Sequence, residues 1–161
     1  MKVPRTLSEW SNIAQIVSGV AVIVTLVFLI LGVRENTEVV RQSVYASNQS
    51  SFNDVQIALL TDSDSMRVWT AFVSMDTTGL DKLDEQRLNT IVVLFFRSFE
   101  TAYFSERNGL LGEEEWRRLA RNACTNFVRV GATGREALLK AILSVEFMEH
   151  ITSTCLEVEA P

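Results

Sequence analysis

The chain has 161 residues, 47% of them hydrophobic, which allows one apolar segment and one helical domain with a modest core. Its formal charge is −5, and beyond residue 33 the balance is 13 Lys and Arg against 19 Asp and Glu. This excludes the clustered basic surface that nucleic-acid binding needs.

The N-terminal stretch contains Thr6-Leu7-Ser8-Glu9, a T-x-x-E capping box that predicts a helix start. Trp10 follows at the level where an indole meets both hydrocarbon and headgroups. Residues 13–33 read IAQIVSGVAVIVTLVFLILGV and carry no charge over 21 positions. A helix of that length rises about 31 Å, the thickness of a bilayer's hydrocarbon layer, so a transmembrane helix is expected. A cleaved signal peptide is the rival reading; the apolar run exceeds the usual h-region and no A-x-A-like site follows it. Within the span Ala14, Ser18, Ala21, Thr25 and Gly32 recur in steps of three and four, with Phe28 in the one large place. Such a seam permits close approach of a second helix; the alternative is that Ser and Thr bond their own i−4 carbonyls.

No Pro or Gly interrupts residues 33–77, so the helix is expected to continue beyond the bilayer, past Arg34 at the interface. Thr61-Asp62-Ser63-Asp64 should end it and open a second helix over residues 66–73. A loop over residues 74–81 ends in Asp81, a candidate N-cap. The next helix, residues 82–108, has apolar residues over more than half its circumference and is expected to be central. Arg97 and Glu100 lie i, i+3 in its middle and form a candidate buried polar pair. Gly109 supplies its stop. Glu113, Glu114 and Glu115 then open a helix through residue 130, with Trp116, Leu119, Ala120, Ala123, Phe127 and Val130 inward and Arg117, Arg118 and Arg121 outward.

Gly131 to Gly134 reads as a turn, and Thr133 with Glu136 as a second capping box opening one last helix. Glu146 and His150, at i, i+4, offer two ligand atoms but lack the further ligands of a metal site. Residues 152–161 read as a disordered acidic tail. Cys124 and Cys155 have no C-x-x-C spacing, so zinc is not indicated; two buried thiols are expected, with pairing the alternative in an oxidising compartment.

The segments LSEWSNIAQIVSGVAVIVTLVFLILGVRENTEVVRQS and FFRSFETAYFSERNGLLGEEEW resemble a group of small bacterial single-span membrane proteins with a helical domain after the anchor. Arg34, Asn36 and Thr37 match the juxtamembrane pattern, and Arg97, Glu100, Tyr103 and Gly109 the central-helix pattern; Val33 stands where relatives often carry Gln. The resemblance implies a fold type and no reaction.

The expected architecture is all-α: an interfacial turn (1–12), a transmembrane helix (13–33), a small antiparallel helical bundle (34–151) and the tail (152–161). With no Ser-His-Asp set, P-loop or glycine-rich nucleotide turn, no enzyme and no cofactor are expected. The leading function is a membrane-anchored interaction protein, an accessory subunit or self-associating scaffold whose partners are the bilayer and a protein or second copy. The alternative is a tethered sensor holding a small ligand near Arg97, Glu100 and Tyr103. Basic residues on the two flanks of the span nearly balance; family resemblance and unpaired cysteines favour a cytoplasmic domain at the bacterial inner membrane.

Overall fold

A computed structural model of the chain describes residues 7–158, with side chains described for residues 10–155. The Thr6–Glu9 capping box lies outside the described residues. Six helices are described: α1 (Leu7–Thr61), α2 (Ser63–Val73), α3 (Lys82–Arg107), α4 (Glu113–Ala132), α5 (Glu136–Ile142) and α6 (Val145–Val158). No strand occurs among the described residues. The chain divides between Gln42 and Ser43 into two compact units, nine residues later than the domain boundary expected from sequence.

The first unit contains the apolar part of α1, which is long and apolar enough to cross a membrane and has none of its apolar window buried. The second unit has its own core. α3 packs against α2, α4 and α5, and α4 also packs against α6. Phe95, Phe96 and Phe99 of α3 are buried at its centre, where Phe95 and Phe99 meet edge to face at 5.0 Å between ring centroids. Phe52 of α1 reaches Phe99 at 4.9 Å, and Trp69 of α2 reaches Phe95 at 5.3 Å. Farther along, Tyr103, Trp116 and Phe147 join α3, α4 and α6 through tilted ring contacts. Such aromatic pairs add to the burial of their large apolar surfaces.

Local signals place the helix ends. The Asp62 side chain accepts from Ser65 N–H at the start of α2, and Asp81 and Asp84 form a capping box at the start of α3. α3 stops at Gly109, whose φ of +68° suits a residue without Cβ; Gly109 N–H donates to the Glu106 carbonyl and Leu110 N–H to that of Ser105. α2 ends in the same hydrogen-bond pattern, but there Met75 takes the left-handed position, with φ of +58°.

Four expectations require correction. The Thr133–Glu136 capping box does not form: Thr133 closes α4, with its Oγ1 donating to the Arg129 carbonyl, and Arg135 occupies the N-cap of α5. The single last helix is two, broken at Leu143, which is extended (ψ 160°), because Ser144 opens α6 and its N–H is taken by the Glu100 carboxylate. α6 continues to Val158, so a disordered tail does not begin at Thr152. Finally, Cys124 and Cys155 are not free thiols. They form a disulfide between α4 and α6 with a Cα–Cα distance of 5.1 Å, within the span a disulfide bridges.

Candidate functional site

Two groups of residues carry functional interest, one in each unit. In the first, every described residue of the apolar stretch is exposed, including Ile16 at 67% and Phe28 at 71%. Such a run of exposed large apolar side chains exceeds the singly scattered apolar residues of a soluble monomer's surface. Ala14, Ser18, Ala21, Thr25 and Gly32 are all exposed along it, as are Trp10 and Arg34. The Thr25 hydroxyl donates to the Ala21 carbonyl at 2.9 Å, so its proton is satisfied within its own helix. A Cβ added at Gly32 would meet nothing within 4 Å.

In the second unit, Arg97 and Glu100 form the expected pair, with Arg97 Nη1 3.0 Å from Glu100 Oε2. The pair is asymmetric: Arg97 is half exposed, whereas Glu100 is buried. The other carboxylate oxygen of Glu100 accepts from Ser144 N–H at 2.6 Å. Both of its oxygens are therefore committed, one to a cation and one to the first turn of α6. Tyr103 packs in the ring cluster, and its hydroxyl accepts from Arg107 Nη1 at 3.1 Å. Arg97 lines a shallow cleft with Ser51, Asp54 and Thr101, and neither Glu100 nor Tyr103 lines it.

The sequence reading missed two further polar centres on α3. Arg67 of α2 grips Asp84 with both terminal nitrogens, at 2.8 and 2.5 Å, and Arg87 reaches Asp64 at 3.3 Å. The Arg67 hydrogen bond holds the Asp84 carboxyl below the usual carboxylate range, and the pairing correspondingly raises Arg67. Arg135 is buried at the α4–α5 junction, bonded to Glu85, to Asn89 Oδ1 at 3.0 Å and to the Thr133 carbonyl at 2.9 Å. The D-x-x-D spacing of Asp81 and Asp84 was a visible signal for the first centre. Nothing local marked Arg135, whose carboxylate partner lies 50 residues earlier.

Glu146 pairs with Arg107, and His150 stacks on Tyr103 at 4.6 Å, so the i, i+4 pair does not converge. No cluster of three or more potential metal ligands occurs among the described residues. Burial lowers the His150 pKa below its ordinary value, and its buried Nε2 makes no hydrogen bond among the described residues. No family model, no curated protein and no solved structure matches the chain.

Proposed function

We propose that the protein is a membrane-anchored helical interaction protein, an accessory or assembly subunit or a self-associating scaffold, with residues 13–33 crossing the bilayer and the second unit acting as a small helical bundle beside it. The observation that carries this reading is the fully exposed apolar length of α1. Lipid covers most of such a surface, and the small-residue seam offers the approach through which a second helix joins. The membrane is the bacterial cytoplasmic membrane, as the resemblance to small single-span bacterial proteins implies. The Cys124–Cys155 bridge supports an orientation opposite to the one expected from sequence, with the second unit on the oxidising side, since disulfides rarely persist in the cytosol. A reporter fused after Pro161 tests this: activity confined to the cytoplasm refutes it.

The interaction role is tested by native mass spectrometry and crosslinking of the purified full chain in mild detergent. Ser18→Leu with Thr25→Leu should reduce association, because interhelical contacts of this kind contribute roughly 0.6 to 2 kcal/mol each. Matched leucine replacements at Val20 and Val27 should not. A wild type that is monomeric at every concentration and copurifies with no partner defeats the proposal. Insertion has its own test: Val22→Arg adds about 2.5 to 3.5 kcal/mol at the helix centre and should release protein from the membrane fraction.

The second reading, a tethered ligand sensor, loses support at Arg97, Glu100 and Tyr103, whose polar atoms are engaged within the protein.

A further inference from the structure

A cleft of about 220 Å³ opens in the second unit between α1 and the start of α4. At the roughly 30 Å³ that each molecule of liquid water occupies, it has room for about seven waters, below the usual size of drug-binding pockets and suited to a small metabolite. Its floor is apolar, formed by Phe52, Leu111 and Leu119.

The wall above this floor carries an unusual amide. Asn48 is only 5% exposed. Its Nδ2 donates to Ser105 Oγ at 3.5 Å, and the assignment of nitrogen over oxygen follows from chemistry: Ser105 Oγ spends its one proton on the Thr101 carbonyl at 2.8 Å and can only accept from Asn48. The Asn48 Oδ1 is thus the atom left over, and it accepts no hydrogen bond from the described residues. That oxygen is not a buried orphan, since His150 Nε2 is the atom of that kind among the described residues; the Asn48 oxygen opens to solvent in the cleft and is free to accept from a ligand N–H. Beside it, the Tyr45 hydroxyl accepts from Gln49 Nε2 at 3.2 Å, which leaves its own proton available to an incoming acceptor.

Charge is divided across the rim. On α4, Arg117 pairs with Glu113 at 2.7 Å, yet Arg118, one residue on and lining the cleft, has no ion-pair partner among the described residues. Glu115 also lines the cleft, with its carboxylate folded against Gly112, where a Cβ would meet Oε2 at 2.1 Å. That places a carboxylate at the positive end of the α4 dipole.

We propose that this cleft binds a small aliphatic α-amino acid. Its carboxylate lies on the Arg118 guanidinium and the Tyr45 hydroxyl. Its ammonium donates to Asn48 Oδ1 and the Glu115 carboxylate, and its side chain covers Phe52, Leu111 and Leu119. The inference is independent of whether the anchor associates, because every group it uses lies in the second unit.

Isothermal titration of the full chain in detergent with L-leucine and L-valine tests it, alongside leucinamide, which lacks the carboxylate, and 4-methylpentanoate, which lacks the ammonium. Saturable binding of at least one amino acid is expected, weakened tenfold or more in either truncated probe, the loss that one charge-assisted hydrogen bond implies. Arg118→Gln should weaken binding of the amino acid by a similar factor without changing the melting temperature. Arg121→Gln, exposed on α4 and outside the cleft lining, should leave binding unchanged. Absence of saturable binding by both amino acids, equal binding of the truncated probes, or unaltered binding in Arg118→Gln overturns the proposal.

Discussion

The Cys124–Cys155 bridge should be the largest single contribution to the stability of the second unit that one reagent can remove. The two cysteines are 31 residues apart. Closing a loop of that length in the unfolded chain removes conformational entropy worth about 3.7 kcal/mol at 25 °C on the chain-entropy relation. That is a large share of the roughly 5 to 15 kcal/mol by which a typical domain is stable. Urea unfolding of the full chain in mild detergent, followed by tryptophan fluorescence, reads it directly, since Trp69 and Trp116 both pack in the second unit's core. With a urea slope of roughly 1 to 3 kcal/mol per molar, reduction should lower the midpoint by roughly 1 to 4 M. Reductant on the wild type is a cleaner perturbation than the double alanine variant, because both cysteines are buried and truncating them also removes packed sulfur. Identical midpoints for oxidised and reduced protein, or two titratable thiols in protein extracted from membranes without reductant, would refute the reasoning.

Three further changes have signs fixed by the structure. Met75→Gly should raise stability by about 1 kcal/mol, because a non-glycine residue in the left-handed region carries a cost of that order and the half-exposed Met75 side chain gives up little packing; an unchanged or lower melting temperature opposes this. Glu100→Ala should cost about 1 to 3 kcal/mol by stripping the acceptor from Ser144 N–H, with faster amide exchange at the start of α6, and exchange that stays slow there would show that the carboxylate does not hold that turn. Burial lowers the folded-state pKa of His150 below the ordinary 6.5, so the unfolded chain takes up the proton first as pH falls: its contribution is complete above about pH 6.5 and is lost as pH drops towards the folded value. Melting temperature against pH should therefore slope downward on the acid side of neutrality, and His150→Phe should flatten that slope; a variant with the same slope assigns it elsewhere.

What the sequence made legible was local. The long uncharged stretch of α1, the Asp62 and Asp81 caps, the stop at Gly109 and the inward face of α4 each depend on residues within a few positions of one another, and the structure has them in place. The misreadings share a different cause. α5 and α6 read as one helix because the residue that takes up Ser144 N–H is Glu100, 44 positions away. The capping box at Thr133 lost to a local competitor, Gly134, whose φ of +71° lets Arg135 N–H bond back to the Val130 carbonyl and close α4 first. The disulfide could not be read from two cysteines on separate helices, since pairing depends on how those helices pack. Of the candidate sites, the long apolar helix was legible and the Arg97–Glu100 ion pair was found, with Arg97 half exposed rather than buried, but the Asn48 amide read as one more polar residue on a helix face.

The polar groups of α3 explain why its centre is a poor place for a ligand and the α1–α4 cleft a better one. Asp84 is taken by Arg67, Glu85 and Asn89 by Arg135, and Glu100 by Arg97 and Ser144. Apart from the Arg97–Glu100 pair, which lies within α3, these contacts tie α3 to a neighbouring helix or junction, and each consumes the donor or acceptor that a ligand would need. Removing one partner would leave a buried charge or amide unpaired, so these positions hold the packing in place and are costly to open. The cleft differs in kind: Asn48 Oδ1, the Tyr45 proton and the Arg118 guanidinium are uncommitted around an apolar floor. It also lies on the part of α1 that belongs to the second unit, on the same continuous helix as the apolar stretch. Occupation of the cleft would stabilise the packing of residues 45–52 against α4, because a ligand that touches both elements binds the folded arrangement and not the locally opened one. Hydrogen exchange over residues 45–52 in the presence of L-leucine therefore has a definite expectation, slower exchange there than in the unliganded chain, and unchanged protection in that segment would separate a ligand that merely binds from one that orders α1.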